Sequence, residues 1–299
     1  MRTVKKDFSD AVMGFIVSVL CIIIFLIIAY PLYFIIIASF SNSFDVNAGK
    51  VVFWPVNASF YGYEKIFQDS RIWQGYRNTI IYTFLGTSIN LAFTLPAAYV
   101  LSQKRFAARK VIMSLFIFTM FFNGGIIPTY LLMRDLKLIN TIWVMVLPFC
   151  VNIYNLIITR SFMETSIPGE LYEAALMDGC SHFRYFSNVV LPLSKAVISV
   201  IGLYYFVGHW NDFFSALLYI NKDFLQPLQV VLRNILLANQ AFSQGAGSGA
   251  GAGVGGYAQQ FADQIKYGVI IVSVLPVLFL YPFIQKYFTR GVMIGAIKG

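Results

Sequence analysis

The chain has 299 residues, of which 58% are hydrophobic, 17% aromatic and only 12% charged. So few polar side chains cannot cover a soluble globule of this length, and the composition assigns the chain to lipid. The formal charge of +9 would suit nucleic acid only if Lys and Arg gathered on one polar face; here they flank apolar runs, which excludes that partner.

A helix rising 1.5 Å per residue needs about 20 apolar residues to cross the hydrocarbon core. Such stretches occur at roughly residues 11–40, 78–101, 111–132, 141–159, 194–220 and 267–285. The predicted fold is all-α and integral to the membrane, with six transmembrane helices in one domain spanning 1–299. The first stretch follows Lys5 and Lys6 but exceeds a signal-peptide h-region and lacks a small-x-small cleavage site, so it reads as an uncleaved span. The loop 41–77 carries Trp54, Tyr61, Tyr63, Phe67 and Trp73. These suit either an aromatic belt at the headgroups or a helix lying at the interface or on a partner. Asn57-Ala58-Ser59 fits a glycosylation sequon and is taken as chance.

Asn123-Gly124-Gly125 and Pro128 interrupt the third stretch, either as a kink toward a cavity or as a helix end near the outer face. In the fourth, Asn152 and Asn155 are three residues apart and so are expected to share a helix face. An amide in hydrocarbon needs a partner or water, so they face protein, either hydrogen bonding between helices or lining a solute path.

Next comes the most polar inside loop, 160–193. Pro168 suits the first position of a helix, Glu170 and Glu173 favour the positive end of its dipole, and Gly179 suits the left-handed residue that closes it. A helix over about 168–178 is predicted, then a second capped by Ser181 and running toward Val190, with Pro192 leading into the fifth span. In that span His209, Trp210, Asn211 and Asp212 combine an aromatic ring, an amide and a carboxylate. That set suits a sugar site or, equally, a polar interface with a partner.

Residues 221–266 form the second long outside loop. Its run Gly245–Gly256 has almost no side chain to pack and is expected to be a flexible tip. No Lys followed by Ser or Thr succeeds these glycines and no strand precedes them, which excludes a phosphate loop and a dinucleotide fingerprint. Cys21, Cys150 and Cys180 show no paired spacing, so neither a disulfide framework nor a metal site is expected.

Orientation follows from the basic residues. Arg2, Lys5 and Lys6, then Lys104, Arg105, Arg109 and Lys110, then Arg160, Arg184 and Lys195, then Lys286, Arg290 and Lys298 all fall on one side. The compact cluster at 104–110 weighs most, and both termini are expected in the cytoplasm.

Glu173-Ala174-Ala175, Asp178-Gly179 and Leu191-Pro192 together resemble the "EAA" loop of ATP-binding-cassette (ABC) importer permeases. Arg77-Asn78-Thr79, Ala97-Ala98-Tyr99 and Trp210-Asn211-Asp212-Phe213 extend the likeness to the second permease of maltose-type oligosaccharide importers. Residues 122–130 and 291–299 resemble the subgroup of complex-polysaccharide and alginate importers. The departures are Cys180, where many relatives have Ala, and Lys195, where Pro is frequent.

The resemblance implies a type I permease fold in the bacterial cell membrane with no catalytic residue, metal or cofactor of its own. ATP and Mg would act on two partner ATPase subunits, docked through Glu173, Ala174, Ala175, Asp178, Gly179, Leu191 and Pro192. A second, homologous permease and an extracytoplasmic solute-binding protein complete the implied assembly. Asn152, Asn155, Trp210, Asn211 and Asp212 are candidates for the sugar path. The tail 291–299 would reach between the ATPases, and the loop around 245–256 would touch the binding protein. The alternative function is a lone ion-coupled sugar carrier, which would need an internal repeat and midplane ionisable groups; only Asp212 qualifies and no repeat is visible. A membrane-embedded enzyme is the third alternative, and no nucleophile or paired-carboxylate pattern supports it.

Overall fold

A computed structural model of the chain describes residues 8–245 and 265–279, together with residue 282. The basic N-terminus, the Gly-rich run after Gly245, most of the last stretch beyond 279 and the tail 291–299 lie outside the described residues. Every regular element among the described residues is helical. They divide into two compact units, one formed by the described residues within 1–69 and 234–274 and the other by those within 70–233 and 275–299.

In the first unit, α1 (Phe8–Ser39) carries Pro31 in its interior. Between Val12 and Tyr30 nearly every large apolar side chain of α1 is exposed, as expected of a helix solvated by lipid tails. From Val12 onward its coverage is confined to the C-terminal end, where Ile37 and Ala38 pack with Val46, Val51, Phe34, Val56 and Tyr267. α2 (Ser43–Asn47) starts at Asn42, whose side chain accepts the Phe44 N–H at 2.9 Å. Asp45 then accepts from Lys50 Nζ at 3.1 Å and from Asn57 Nδ2 at 2.7 Å. These two bonds hold the carboxyl below its ordinary pKa of 3.8, that from Asn57 having the larger effect. α3 (Tyr61–Gln68) is fixed by Tyr63, whose hydroxyl bonds Ser39 Oγ at 2.8 Å and whose phenol is pushed up by burial.

The second unit is organised around α4 (Ser70–Ser102). Its buried side chains include Ile72, Gly75, Thr79, Thr83, Gly86, Asn90, Thr94 and Ala98, at the three- and four-residue spacing of one helix face. This stripe is small and polar because neighbouring backbones come close, as is usual between helices in lipid. A Cβ on Gly75 would meet Leu228 Cα at 3.0 Å, and one on Gly86 would meet His209 Nε2 at 2.4 Å.

Three of the stretches read from the sequence as single spans are broken. The third is α5 (Arg109–Phe121) and α6 (Ile126–Asp135), bent by 112°. Gly125 sits at φ +84° in the break, and Pro128 falls in the first turn of α6, where a missing N–H costs nothing. The fourth is α7 (Trp143–Val146) and α8 (Ile153–Ser166). Asn152 caps α8 instead of sharing a helix face with Asn155. The fifth is α12 (Lys195–Trp210) and α13 (Phe214–Tyr219), interrupted at Asn211–Phe213. Between the fourth and fifth lie α9 (Gly169–Met177), α10 (His182–Tyr185), a π turn (Phe186–Val190) and α11 (Leu191–Leu193). α14 (Leu228–Gly245) occupies part of what reads as loop, and α15 (Ile265–Phe279) follows.

Two apolar cores form along α4, one at its C-terminal end and one about its middle. One joins Leu95, Ala98, Tyr99, Met113, Leu156, Met163, Tyr185, Val190, Val197 and Ile201. The other joins Tyr82, Met133, Val144, Met145, Val146, Ala216, Tyr219, Ile220 and Val230. The segment after α13 is clamped on α4: Asn78 Nδ2 donates to the carbonyls of Phe224 (2.9 Å) and Gln226 (3.0 Å), and Tyr82 Oη to that of Leu225 (2.7 Å). Thr79 Oγ1 accepts the first N–H of α14 at 2.8 Å.

Candidate functional site

The loop 160–193 is a capped helix on an aromatic foot. Pro168 occupies the N-cap, with φ −61° and ψ 138°, so α9 begins one residue later than the sequence predicts. Its C-terminus closes as a Schellman motif: Cys180 N–H reaches Ala175 O at 2.9 Å and Gly179 N–H reaches Leu176 O at 3.0 Å. Gly179 is at φ +70°, a conformation only glycine adopts cheaply. Ser181 then caps α10, accepting the Arg184 N–H at 3.3 Å.

No residue of α9 is buried. Tyr172 and Ala175 are half-buried against the core beneath, while Met177 is 89% exposed and Phe183 79%. Glu173 faces Arg105 at 3.6 Å, and Arg105 lies over the Tyr172 ring at 5.3 Å. Tyr172 in turn stacks on His182 (5.5 Å) and meets Tyr185 edge-on (5.3 Å). Tyr185 is buried, which raises its phenol pKa, with neighbouring Tyr172 adding to the shift. A cavity of about 230 Å³ lies at this foot, lined in part by Tyr99, Arg105, Glu164, Tyr172 and Glu173.

The connection to α12 is stiff on one side and jointed on the other. Pro192 cannot donate within a helix and its ring crowds the preceding turn. The chain widens just before it into the π turn, where the Leu191 N–H bonds Phe186 O. Past Leu193 the axis bends by 81°, and the hydroxyl of Ser194 at the bend is buried without a partner among the described residues. Of the motif residues, Glu173, Ala174, Asp178 and Pro192 are exposed, Ala175 and Leu191 rest on the core, and Gly179 shapes the turn.

Between the two apolar cores lies a polar network. His209 Nε2 and Asn90 Oδ1 are 2.7 Å apart, and Asn90 Nδ2 donates to Cys150 O at 2.8 Å. Tyr205 Oη is 2.7 Å from Thr94 Oγ1 and accepts the Asn152 N–H at 3.0 Å. Asn152 Oδ1 accepts the Asn155 N–H at 3.1 Å. The irregular backbone between α7 and α8 thus finds its hydrogen bonds on α4 and α12, as membrane-depth backbone must.

Beside this network a cavity of about 970 Å³ opens, lined by Asn90, Asn152, Asn155, His209 and Asp212 among others. Asp212 Oδ1 also accepts the Ser215 N–H at 3.0 Å at the start of α13. Trp210 does not line the cavity; it is buried and stacks on Phe206 with centroids 6.1 Å apart. Nor does Asn211, which ends α12 and donates to Val207 O at 3.1 Å. Asn90 and Tyr205 are members of this network that sequence reading passes over. A lone Asn in an apolar run was the available signal for Asn90; Tyr205 had none. Among the described residues no group of three His, Cys, Asp or Glu is placed to hold a metal.

Residues 72–294 match the family described as binding-protein-dependent transport system inner membrane component. Protein LplC of Bacillus subtilis (strain 168) is 37% identical over 269 residues, covering 90% of this chain and 89% of its own. The polygalacturonan/rhamnogalacturonan transport system permease protein YtcP of the same organism is 36% identical over 275 residues, covering 92% and 94%. A crystal structure of a bacterial ABC transporter involved in the import of the acidic polysaccharide alginate aligns with a TM-score of 0.84 at 32% identity, over 96% of this chain and 100% of that one. The chain therefore belongs to the family of inner-membrane components of binding-protein-dependent transport systems.

Proposed function

We propose that this chain is one of two permease subunits of an ATP-driven importer of oligosaccharides or polysaccharides, crossing the membrane six times with both termini in the cytoplasm. It forms half of the translocation pathway beside a second, homologous permease. Two ATPase subunits, holding ATP and Mg, supply the work, and an extracytoplasmic solute-binding protein delivers the sugar. The relatives' recorded cargoes, polygalacturonan, rhamnogalacturonan and alginate, support a saccharide.

One observation carries the coupling role: α9 is capped at its end, seated on a buried aromatic foot, and presents Met177 and, from the next turn, Phe183 outward, uncovered among the described residues. Exposed apolar groups on a rigid, small-residue helix suit a groove on a soluble subunit. Movement imposed on α9 passes through Tyr172 and Tyr185 toward Tyr99 of α4, and through the π turn to the 81° bend at α12. Glu173, Ala174, Ala175, Asp178, Gly179, Leu191 and Pro192 belong to this lever. Asn152, Asn155 and Asp212 border the solute path, while Trp210 and Asn211 support the break behind it.

In proteoliposomes holding the complete transporter, Glu173→Lys, Met177→Glu and Gly179→Val should each lower sugar uptake and binding-protein-stimulated ATP hydrolysis together, by about tenfold or more. Wild-type rates in all three, or uptake by this chain alone, would overturn the reading.

A further inference from the structure

We infer that Phe149 is the aromatic platform on which this chain holds a sugar ring in the translocation path, an assignment that rests on the carbohydrate reading above. Phe149 lies between α7 and α8 with φ +55°. A bulky residue in the left-handed region is an outlier, and the preceding Pro148 makes the site resemble the third position of a type II turn, where Gly or Asn is usual. An unusual backbone held in place by its surroundings is a mark of a working position. Here the hydrogen bonds of Asn90 to Cys150 O and of Tyr205 to Asn152 N–H hold the chain immediately after it.

The outcome of that geometry is an aromatic ring held outward. Phe149 is 77% exposed and lines the 970 Å³ cavity. A segment that only needed to turn here would be served best by glycine. Around it the cavity offers the amide of Asn155, the carboxylate of Asp212 and the hydroxyls of Tyr154 and Tyr204. A flat apolar face ringed by amide, carboxylate and phenol groups complements a pyranose, whose C–H face is apolar and whose rim is hydroxyl. Phe149 is a binding residue here; it takes no part in ATP hydrolysis.

The experiment uses the complete transporter in proteoliposomes, with a galacturonic-acid oligosaccharide and a neutral maltooligosaccharide as probes, and reads sugar molecules moved per ATP hydrolysed. A structural defect lowers both quantities, whereas losing the platform lowers their ratio. Phe149→Tyr and Phe149→Trp should keep the ratio within about twofold of wild type, and Phe149→Leu and Phe149→Gly should lower it about tenfold. Phe149→Gly, which suits φ +55°, should melt no lower than wild type, separating stability from transport. A wild-type ratio in the Leu or Gly variant, or a Tyr variant as impaired as Leu, would overturn the inference. So would failure of every variant to assemble, which would make Phe149 a subunit contact. A wild-type complex that moves neither probe would instead count against the carbohydrate reading itself.

Discussion

At the scale of single residues, the second unit depends on places where a side chain is missing. Gly86 gives His209 its seat, and His209 in turn orients Asn90 toward the break after α7. In Gly86→Ala the new Cβ falls 2.4 Å from the imidazole, so the ring must leave Asn90. Overpacking of this kind costs about 1–3 kcal/mol, and the thermal midpoint of the purified complex should fall. Adding His209→Ala should recover part of that loss, because the clash has gone although the hydrogen bond has not returned. Equal midpoints for wild type and Gly86→Ala would show that the helices move apart freely. Gly179 is the converse case, needed for its φ of +70°; any other L-residue there costs about 1–2 kcal/mol.

At the scale of elements, α2 is too short to be stable alone and depends on its cap and on Asp45. The carboxyl's folded pKa lies below its ordinary 3.8 because Asn57 and Lys50 donate to it. A depressed folded value means the interaction stabilises above the ordinary pKa and is lost as pH falls through the folded one. Amide exchange over residues 42–57 should be faster in Asp45→Asn than in wild type at pH 6, with the two converging below about pH 3.8. A difference that persists unchanged at pH 3 would mean the charge is irrelevant. The elements also show how far local signals reach. The helix from Gly169 to Met177, its Gly179 stop and the Ser181 cap were legible to within a residue, because caps and stops are decided by neighbours in sequence. The break in the third stretch was marked by Asn123-Gly124-Gly125, whose hydrogen bonds are local; hydropathy over 20 residues did not register the breaks in the fourth and fifth, and the backbone after Pro148 is satisfied by the distant Asn90 and Tyr205.

At the scale of the whole molecule, the basic residues put the cluster 104–110 and the loop 160–193 in the cytoplasm and the loop 41–77 outside, an orientation that labelling tests. In a background with Cys21, Cys150 and Cys180 replaced by Ser, Lys110→Cys, which is exposed at the start of α5, should react with a membrane-impermeant maleimide only in inside-out vesicles, and Trp54→Cys only from the outside of intact cells. The opposite pattern would reverse the orientation derived from the basic residues.

Lipid solvation, helical class and the motif from Glu173 to Pro192 are properties of composition and of residues within a turn or two of one another, so the chain declares them without folding. The cavity, its network and the outward ring of Phe149 arise from pairs such as Asn90 with His209, 119 positions apart. Such a contact depends on how α4, α8 and α12 pack, and no local pattern encodes that packing. The tertiary structure alone therefore brought Asn152, Asn155 and Asp212 to one cavity and turned Trp210 away from it.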